Sequence, residues 1–340
     1  MTEAPDPSAV GGAPDLAAAD AVPDLAAARE ALVDAGEPDP GALEARPIPG
    51  GASRDLWLLA ASDAERPGWV LRRDPPGEVP QTSREAEFRV QSAAHAAGVP
   101  VPRPIACEPA GGRFGTAGML MAWVDGEAIP RRVLRVAPAG LARELGAALA
   151  ALRAVDTAPL EAFAPAPGDP AAATLDAVRA ELDAAGDALP ALELGLRWLA
   201  LHRPQPAPVG VVHGDFRLGN FLVDGSGLRA VIDWEFWHLG DPVEDLAWVC
   251  ARPWRFGADE HPVAGVGALG ELLDGWGEEV DAERLRWWEI LSQAKWGAYC
   301  ARQAALRRSG AHASLERTVL ARRVAEAEWD MLELIQGSPA

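Results

Sequence analysis

The chain of 340 residues carries 31 basic and 50 acidic side chains, a formal net charge of −19, and 49% of it is apolar, with 13 tryptophans but one lysine (Lys295), one asparagine (Asn220) and one tyrosine (Tyr299). A phosphate-binding loop ending in Gly-Lys-Ser/Thr is excluded, because the sole lysine lies in Ala294-Lys295-Trp296. An acidic chain with no arginine run beyond pairs argues against nucleic acid as a partner, and no apolar run reaches the roughly 18–20 residues of a membrane span.

The first residues have neither the basic start nor the apolar stretch of an export signal, and Cys107, Cys250 and Cys300 form no framework, so a cytoplasmic protein is expected. Residues 1–44 hold ten acids and one arginine, about half of the net charge, and leave a moderately acidic body. Within them, residues 1–22 read as a disordered acidic tail. Pro23-Asp24-Leu25 opens a helix with Leu25, Ala28, Leu32 and Val33 on one face, ended by Gly36. Pro49-Gly50-Gly51-Ala52-Ser53 separates extended stretches at 45–48 and 55–60 as a hairpin loop does, and 68–72 reads as a third strand. Thr82 or Ser83 caps a helix over 83–97 that has Glu85 and Glu87 in its first turns. Strands are expected around 104–108 and 118–124. Beyond Asp125 the apolar spacing is helical over 134–154, 175–185, 192–201, 285–305 and 315–335, with Trp248 and Trp329 in the core of these helices. One strand island, 209–213, 221–223 and 228–233, interrupts them. A sheet-rich lobe over 23–124 and a helical lobe over 125–336 make an α+β chain.

The island carries the chemistry. It reads Val212-His213-Gly214-Asp215-Phe216-Arg217-Leu218-Gly219-Asn220, and Asp233 follows at the end of the next strand. An Asp and an Asn five apart on such a loop can turn a carboxylate toward a substrate hydroxyl and an amide oxygen toward a metal. Asp233 can complete the metal site, and hard oxygen donors of this kind suit Mg²⁺. Gly265-Val266-Gly267-Ala268-Leu269-Gly270 has the spacing of a dinucleotide fingerprint, but no strand pattern leads into it.

The order His213-Gly214-Asp215, Asn220, Asp233 and Gly240-Asp241-Pro242-Val243-Glu244-Asp245-Leu246-Ala247 matches the protein-kinase catalytic loop and metal-binding Asp. It resembles the aminoglycoside phosphotransferase and choline kinase-like family, over roughly residues 24–336. The likeness is close to the bacterial phosphotransferase branch related to the kinase-like domains found beside acyl-CoA dehydrogenases. The resemblance implies a two-lobed protein-kinase-like fold, with an antiparallel-sheet N-lobe carrying one helix and a largely helical C-lobe. It implies transfer of a γ-phosphate from ATP, with GTP the open alternative, to a hydroxyl of a small molecule, assisted by Mg²⁺. Asp215 takes the place of the catalytic base, Asn220 and Asp233 those of the metal ligands, and His213, Asp241 and Asp245 those of loop supports. Gly50, Gly51, Ala52 and Ser53 correspond to the loop over the nucleotide phosphates, and Met121 and Trp123 to the hinge beside the base.

One departure stands out. The phosphate-pairing lysine of the third strand is absent and Arg72 stands in its place, with Glu87 as its expected helix partner and Glu85 the second choice. This motivates an alternative, a kinase-like nucleotide- or metabolite-binding protein with little turnover. Trp254, Arg255, Trp288 and Trp296 are the candidate acceptor pocket. Together with Arg252 and Arg302 they favour a hydroxyacyl or other apolar metabolite over a polycationic aminoglycoside. Lys295 is either an ion-paired or solvated residue or a substrate ligand.

Overall fold

The computed structural model describes residues 22–48, 55–74, 80–310 and 315–337. Most of the tail and the phosphate-loop residues Gly50, Gly51, Ala52 and Ser53 lie outside them. The chain divides into two compact units, residues 1–88 with 103–123, and residues 89–102 with 124–340.

In the first unit lie helix α1 (Leu25–Asp34), strands β1 (Leu43–Pro47), β2 (Asp55–Ala61), β3 (Trp69–Arg73), β4 (Pro104–Glu108) and β5 (Gly118–Ala122), and the first turn of helix α2 (Arg84–Ala96), whose residues from Arg89 on belong to the second unit. The strands form one antiparallel sheet in the order β1-β2-β3-β5-β4. Asp24 caps α1 by accepting from the N–H groups of Ala26 and Ala27. Ala28, Ala31 and Leu32 of α1 pack on Trp57, Leu59, Leu71 and Leu120 of the sheet. Val33 departs from expectation: it is 43% exposed, because the buried stripe runs 28, 31, 32 and position 33 turns away from it. At the end of β3 the apolar pattern yields to two buried arginines, Arg72 and Arg73.

In the second unit, the stretch read as one helix over 134–154 is two, α3 (Pro130–Val136) and α4 (Leu141–Arg153). Pro138 and the left-handed Gly140 (φ 90°) break it. Helices α5 (Pro170–Ala185) and α6 (Pro190–Leu201) follow, both opened by proline at the first position. Then come short strands β6 (Gly210–Val212), β7 (Phe221–Asp224), β8 (Gly227–Val231) and β9 (His238–Gly240), in two antiparallel pairs, β6 with β9 and β7 with β8. Helices α7 (Val243–Cys250), α8 (Leu269–Trp276), α9 (Ala282–Arg308), α10 (Leu315–Leu320) and α11 (Val324–Gln336) complete the unit. A 3₁₀ turn at Ala321–Arg323 separates α10 from α11, where one helix over 315–335 was expected.

Helix α9 packs against α5, α6, α7 and α11. It is buried on several faces, which explains why tryptophans, glutamines and small residues share its sequence without a single apolar stripe. Helices α4 and α8 cross where Gly146 meets Gly275. A Cβ on Gly146 would lie 2.0 Å from the Leu272 carbonyl oxygen, and one on Gly275 2.0 Å from that of Arg143, so the two backbones touch without side chains between them. Trp248 is in the core as expected, whereas Trp329 is 63% exposed. Among the described residues no helix is long and apolar enough to cross a membrane.

Candidate active site

Strands β6 and β7 are joined by the loop His213–Asn220, and the first turn of α7 anchors it. Asp245 accepts from the backbone N–H of His213 (2.6 Å) and of Gly214 (3.0 Å), one to each carboxylate oxygen. Burial and the neighbouring Glu244 carboxylate push the Asp245 carboxyl up to about 7, against the opposing pull of those two N–H donors. Asp241 does other work. Its carboxylate accepts from Val243 N–H at the start of α7, from Arg284 Nε (2.9 Å) and from the Trp288 indole, tying α7 to α9.

The His213 ring is wholly buried beside Trp234 and Phe216. Its Nδ1 accepts from the Asp215 N–H (3.2 Å) and its Nε2 faces the Ile232 carbonyl (3.1 Å), which requires a neutral ring with the proton on Nε2. Burial drives its pKa down to about 4. The unfolded chain then takes up the proton first as pH falls, so stability is complete above the ordinary histidine value and declines toward pH 4, by about 3 kcal/mol from this group. Urea unfolding between pH 7.0 and 4.5 is expected to lose more stability in the wild type than in His213→Gln. Equal pH slopes would contradict the assignment of a neutral ring.

Asp215 is the hub of the loop. Its carboxylate, 9% exposed, accepts from Asn220 Nδ2 (2.7 Å), Trp248 Nε1 (3.0 Å) and Arg217 Nε (2.9 and 3.0 Å to its two oxygens). The Arg217 guanidinium lies 4.7 Å above the Trp254 ring. Trp248, Trp254 and Trp296 form a run of tilted and edge-on rings with centroids 5.2 and 4.8 Å apart. The indole N–H groups of Trp254 and Trp296 are buried without a hydrogen-bond partner among the described residues.

Asn220 gives its amide hydrogens to Asp215, to the carboxylate and to the backbone carbonyl (2.9 Å), which leaves its amide oxygen as the group directed elsewhere. Its backbone carbonyl accepts from Ile232 N–H (2.9 Å), so Asp233 follows directly from the residue hydrogen-bonded to Asn220. Asp233 adopts φ 69°, a left-handed conformation uncommon outside glycine though better tolerated by aspartate than by most residues, and such conformations cluster at functional sites. One amide oxygen and one carboxylate fit Mg²⁺, an ion that keeps further positions for water and phosphate. Among the described residues no group of three or more His, Cys, Asp and Glu is gathered as a metal cluster.

In the first unit, Arg72 Nη1 donates to Glu87 Oε2 at 2.7 Å, with both side chains almost fully buried. Arg84 joins Glu87 (2.9 Å) to Asp74 (2.6 Å), so that among the described residues two arginines and two acids meet. Breaking such a pair costs about 3–5 kcal/mol, so it is a rigid feature of the sheet and helix. Met121 lies at the end of β5 opposite Val70, and Trp123 N–H donates to the Gly68 carbonyl (2.9 Å).

The four candidate acceptor residues separate. Trp254 and Trp296 belong to the aromatic run that reaches Asp215 through Trp248. Trp288 is buried on Asp241, and Arg255 donates to the Cys250 carbonyl (2.8 and 3.2 Å) beside a cavity of about 360 Å³ that Glu289 and Gln293 also line. Sequence reading did not name Arg217 or Trp248 as site residues, and of the readings it left open for Lys295 the structure shows the ion pair, with Glu244 (2.9 Å). Trp248 was within reach: it lies three positions after Asp245, one helical turn along the face of α7 that holds the loop.

Residues 44–288 match the family described as "Phosphotransferase enzyme family" (APH). Acyl-CoA dehydrogenase family member 10 of Mus musculus is 30% identical over 229 residues, 62% of this chain and 20% of that protein. Acyl-CoA dehydrogenase family member 11 of Homo sapiens is 31% identical over 195 residues, 53% of this chain and 24% of that protein. The chain thus spans about a fifth to a quarter of the length of these curated relatives. Among solved structures, a candidate aminoglycoside phosphotransferase from Ralstonia eutropha JMP134 is similar with a TM-score of 0.76 at 20% identity, covering 94% of this chain and 100% of that one. Spectinomycin phosphotransferase APH(9)-Ia, in complex with ADP and spectinomycin, gives 0.61 at 13% identity, with 86% and 93% covered. These likenesses establish a kinase-like α+β fold.

Proposed function

Because the chain belongs to the phosphotransferase enzyme family, we propose that it is an ATP-dependent O-phosphotransferase that phosphorylates a hydroxyl of a small molecule. The observation that carries this reading is the Asp215 carboxylate, oriented by three donors on a loop that also carries Asn220. Asp215 accepts the proton of the acceptor hydroxyl as its oxygen bonds to the γ-phosphorus and the bond to the leaving ADP oxygen breaks. Catalysis of this kind is mostly positioning and charge neutralisation, because phosphoryl transfer asks for little covalent chemistry from the protein. Asn220 and Asp233 would hold Mg²⁺, which supplies positive charge against the phosphate oxygens. Arg72, held by Glu87, takes the role of the phosphate-gripping cation.

The surroundings of Asp215 support one class of acceptor over another. The Arg217 guanidinium places positive charge beside the base, which disfavours a polycationic aminoglycoside. The rings of Trp248, Trp254 and Trp296, with two indole N–H donors unpartnered among the described residues, suit a hydroxyacyl or other largely apolar hydroxyl compound bearing oxygen acceptors. The second reading, a nucleotide-binding protein with little turnover, draws on one observation, the burial of Arg72 in its ion pair with Glu87.

A thermal-shift titration with MgATP and MgGTP, run beside a phosphate-transfer assay over a panel of aminoglycosides, hydroxyacyl-CoA compounds and simpler hydroxy metabolites, separates the two. Transfer to an apolar hydroxyl acceptor is expected. Nucleotide binding without transfer to any panel member would favour the second reading.

A further inference from the structure

The only lysine of the chain is half-buried and ion-paired. It projects from the middle of α9, and its Nζ donates to the Gly214 carbonyl (2.9 Å) and to Glu244 Oε1 (2.9 Å) while lying 4.7 Å from the centroid of the Trp248 ring. The Gly214 carbonyl belongs to the peptide that leads into Asp215, and the Trp248 indole N–H holds Asp215 Oδ1 at 3.0 Å. Lys295 therefore touches two of the groups that support the carboxylate, the main chain leading into it and one of its three side-chain donors, the Trp248 indole. On the far side of Glu244, His238 Nε2 lies 3.1 Å from Oε2 and Thr174 Oγ1 donates to the same oxygen at 3.3 Å. The His238 Nδ1 faces the Phe236 carbonyl (3.0 Å), so both ring nitrogens meet acceptors, as in an imidazolium. Glu244 thus sits between two cations and holds Lys295 in place.

We infer that Lys295 is a positioning residue for the catalytic loop, holding the Gly214 carbonyl and the Trp248 ring so that the Asp215 carboxylate keeps one orientation. This rests on the reading of Asp215 as the base. Its distinct content is that the α9 lysine acts through two neighbours and touches neither nucleotide nor acceptor. A shift of about 1 Å in a reacting group can cost on the order of 10²-fold in rate. A dispersed ion pair far from the loop would change stability and leave the rate alone.

The test compares Lys295→Met and Lys295→Arg, each in wild-type and Trp248→Phe backgrounds, by MgATP turnover with the best panel acceptor or, without one, with water. Lys295→Met is expected to lower kcat by about 10- to 100-fold, with KM for ATP within about twofold. Lys295→Arg should recover most of the rate, and the Met variant should lose much less in the Trp248→Phe background. In ¹⁵N-tryptophan-labelled protein, the Trp248 indole N–H resonance, assigned by its loss in Trp248→Phe, should move in Lys295→Met and stay near its place in Lys295→Arg. A wild-type kcat in Lys295→Met, equal losses in both backgrounds, or an unmoved indole resonance overturns the inference. If Lys295→Met does not fold, Glu244→Gln carries the same comparison: kcat lowered at least about threefold with the indole resonance displaced supports the inference, and no change in either overturns it. The phosphotransferase reading fails separately, if Asp215 variants keep full turnover. The indole resonance then still decides whether Lys295 braces the loop.

Discussion

Asp215→Asn is expected to lower the rate of phosphoryl transfer by roughly 10²–10⁴-fold while leaving MgATP binding within about threefold of the wild type. The substitution keeps the shape of the side chain, and its remaining oxygen can still accept from Trp248 or Arg217. What disappears is the capacity to take a proton from the acceptor hydroxyl. The charge opposite Arg217 disappears too, and the guanidinium is then balanced only by its contacts with the Leu218 carbonyl and the Trp254 ring. Some loss of thermal stability is therefore expected, and it must be measured so that the rate is compared on folded protein. Steady-state kinetics at saturating acceptor, with a parallel nucleotide titration by thermal shift, checks the expectation. Near wild-type turnover in a folded Asp215→Asn protein would remove Asp215 from the reaction. Loss of nucleotide binding together with turnover would instead mark Asp215 as part of the nucleotide site.

The loop residues were legible in the sequence because function requires particular chemical types at particular spacings. His213, Asp215, Asn220 and Asp245 could be named from order alone, and the structure gathers these four in one hydrogen-bonded set. Arg72 and Glu87 were paired in the same way, one at a strand end and one on the next helix, and they lie 2.7 Å apart. Asp241, grouped with the loop supports by motif, instead ties α7 to Arg284 and Trp288 of α9. Motif order cannot distinguish support of the loop from support of the helix behind it.

What could not be read depends on contacts between distant segments. Strand β9 has three residues, too few for a periodic pattern, and its existence depends on β6 some 25 residues earlier. The single helix expected over 134–154 overlooked Pro138 and Gly140, which the apolar periodicity passes over unchanged. Lys295 stood out as the sole lysine, but nothing in its local sequence named its partners. Its role appears only when α9 is laid against the loop from Gly214 and the first turns of α7, 81 and 51 residues away.

Gly214→Ala is expected to destabilise the protein by about 2–5 kcal/mol and to cost activity beyond what the loss of folded protein explains. Gly214 adopts φ +79°, where a side chain costs about 1–2 kcal/mol by itself. A Cβ there would also lie 2.3 Å from the Phe236 carbonyl oxygen and 3.0 Å from its carbon, both main-chain atoms that cannot swing aside. Relief requires movement of either the loop or the segment before β9. The loop is the costlier to move, since Asp245 holds the Gly214 N–H and Lys295 its carbonyl. Gly140 provides the internal comparison: its φ is +90°, but nothing lies within 4 Å of an added Cβ, so Gly140→Ala should cost only about 1–2 kcal/mol of backbone strain. Denaturant unfolding of the two variants separates strain from clash, and the rate per folded molecule reports whether Asp215 has moved with its neighbour. If Gly214→Ala proves no more harmful than Gly140→Ala, the Phe236 carbonyl does not confine the loop, and the orientation of Asp215 must come from its side-chain donors alone.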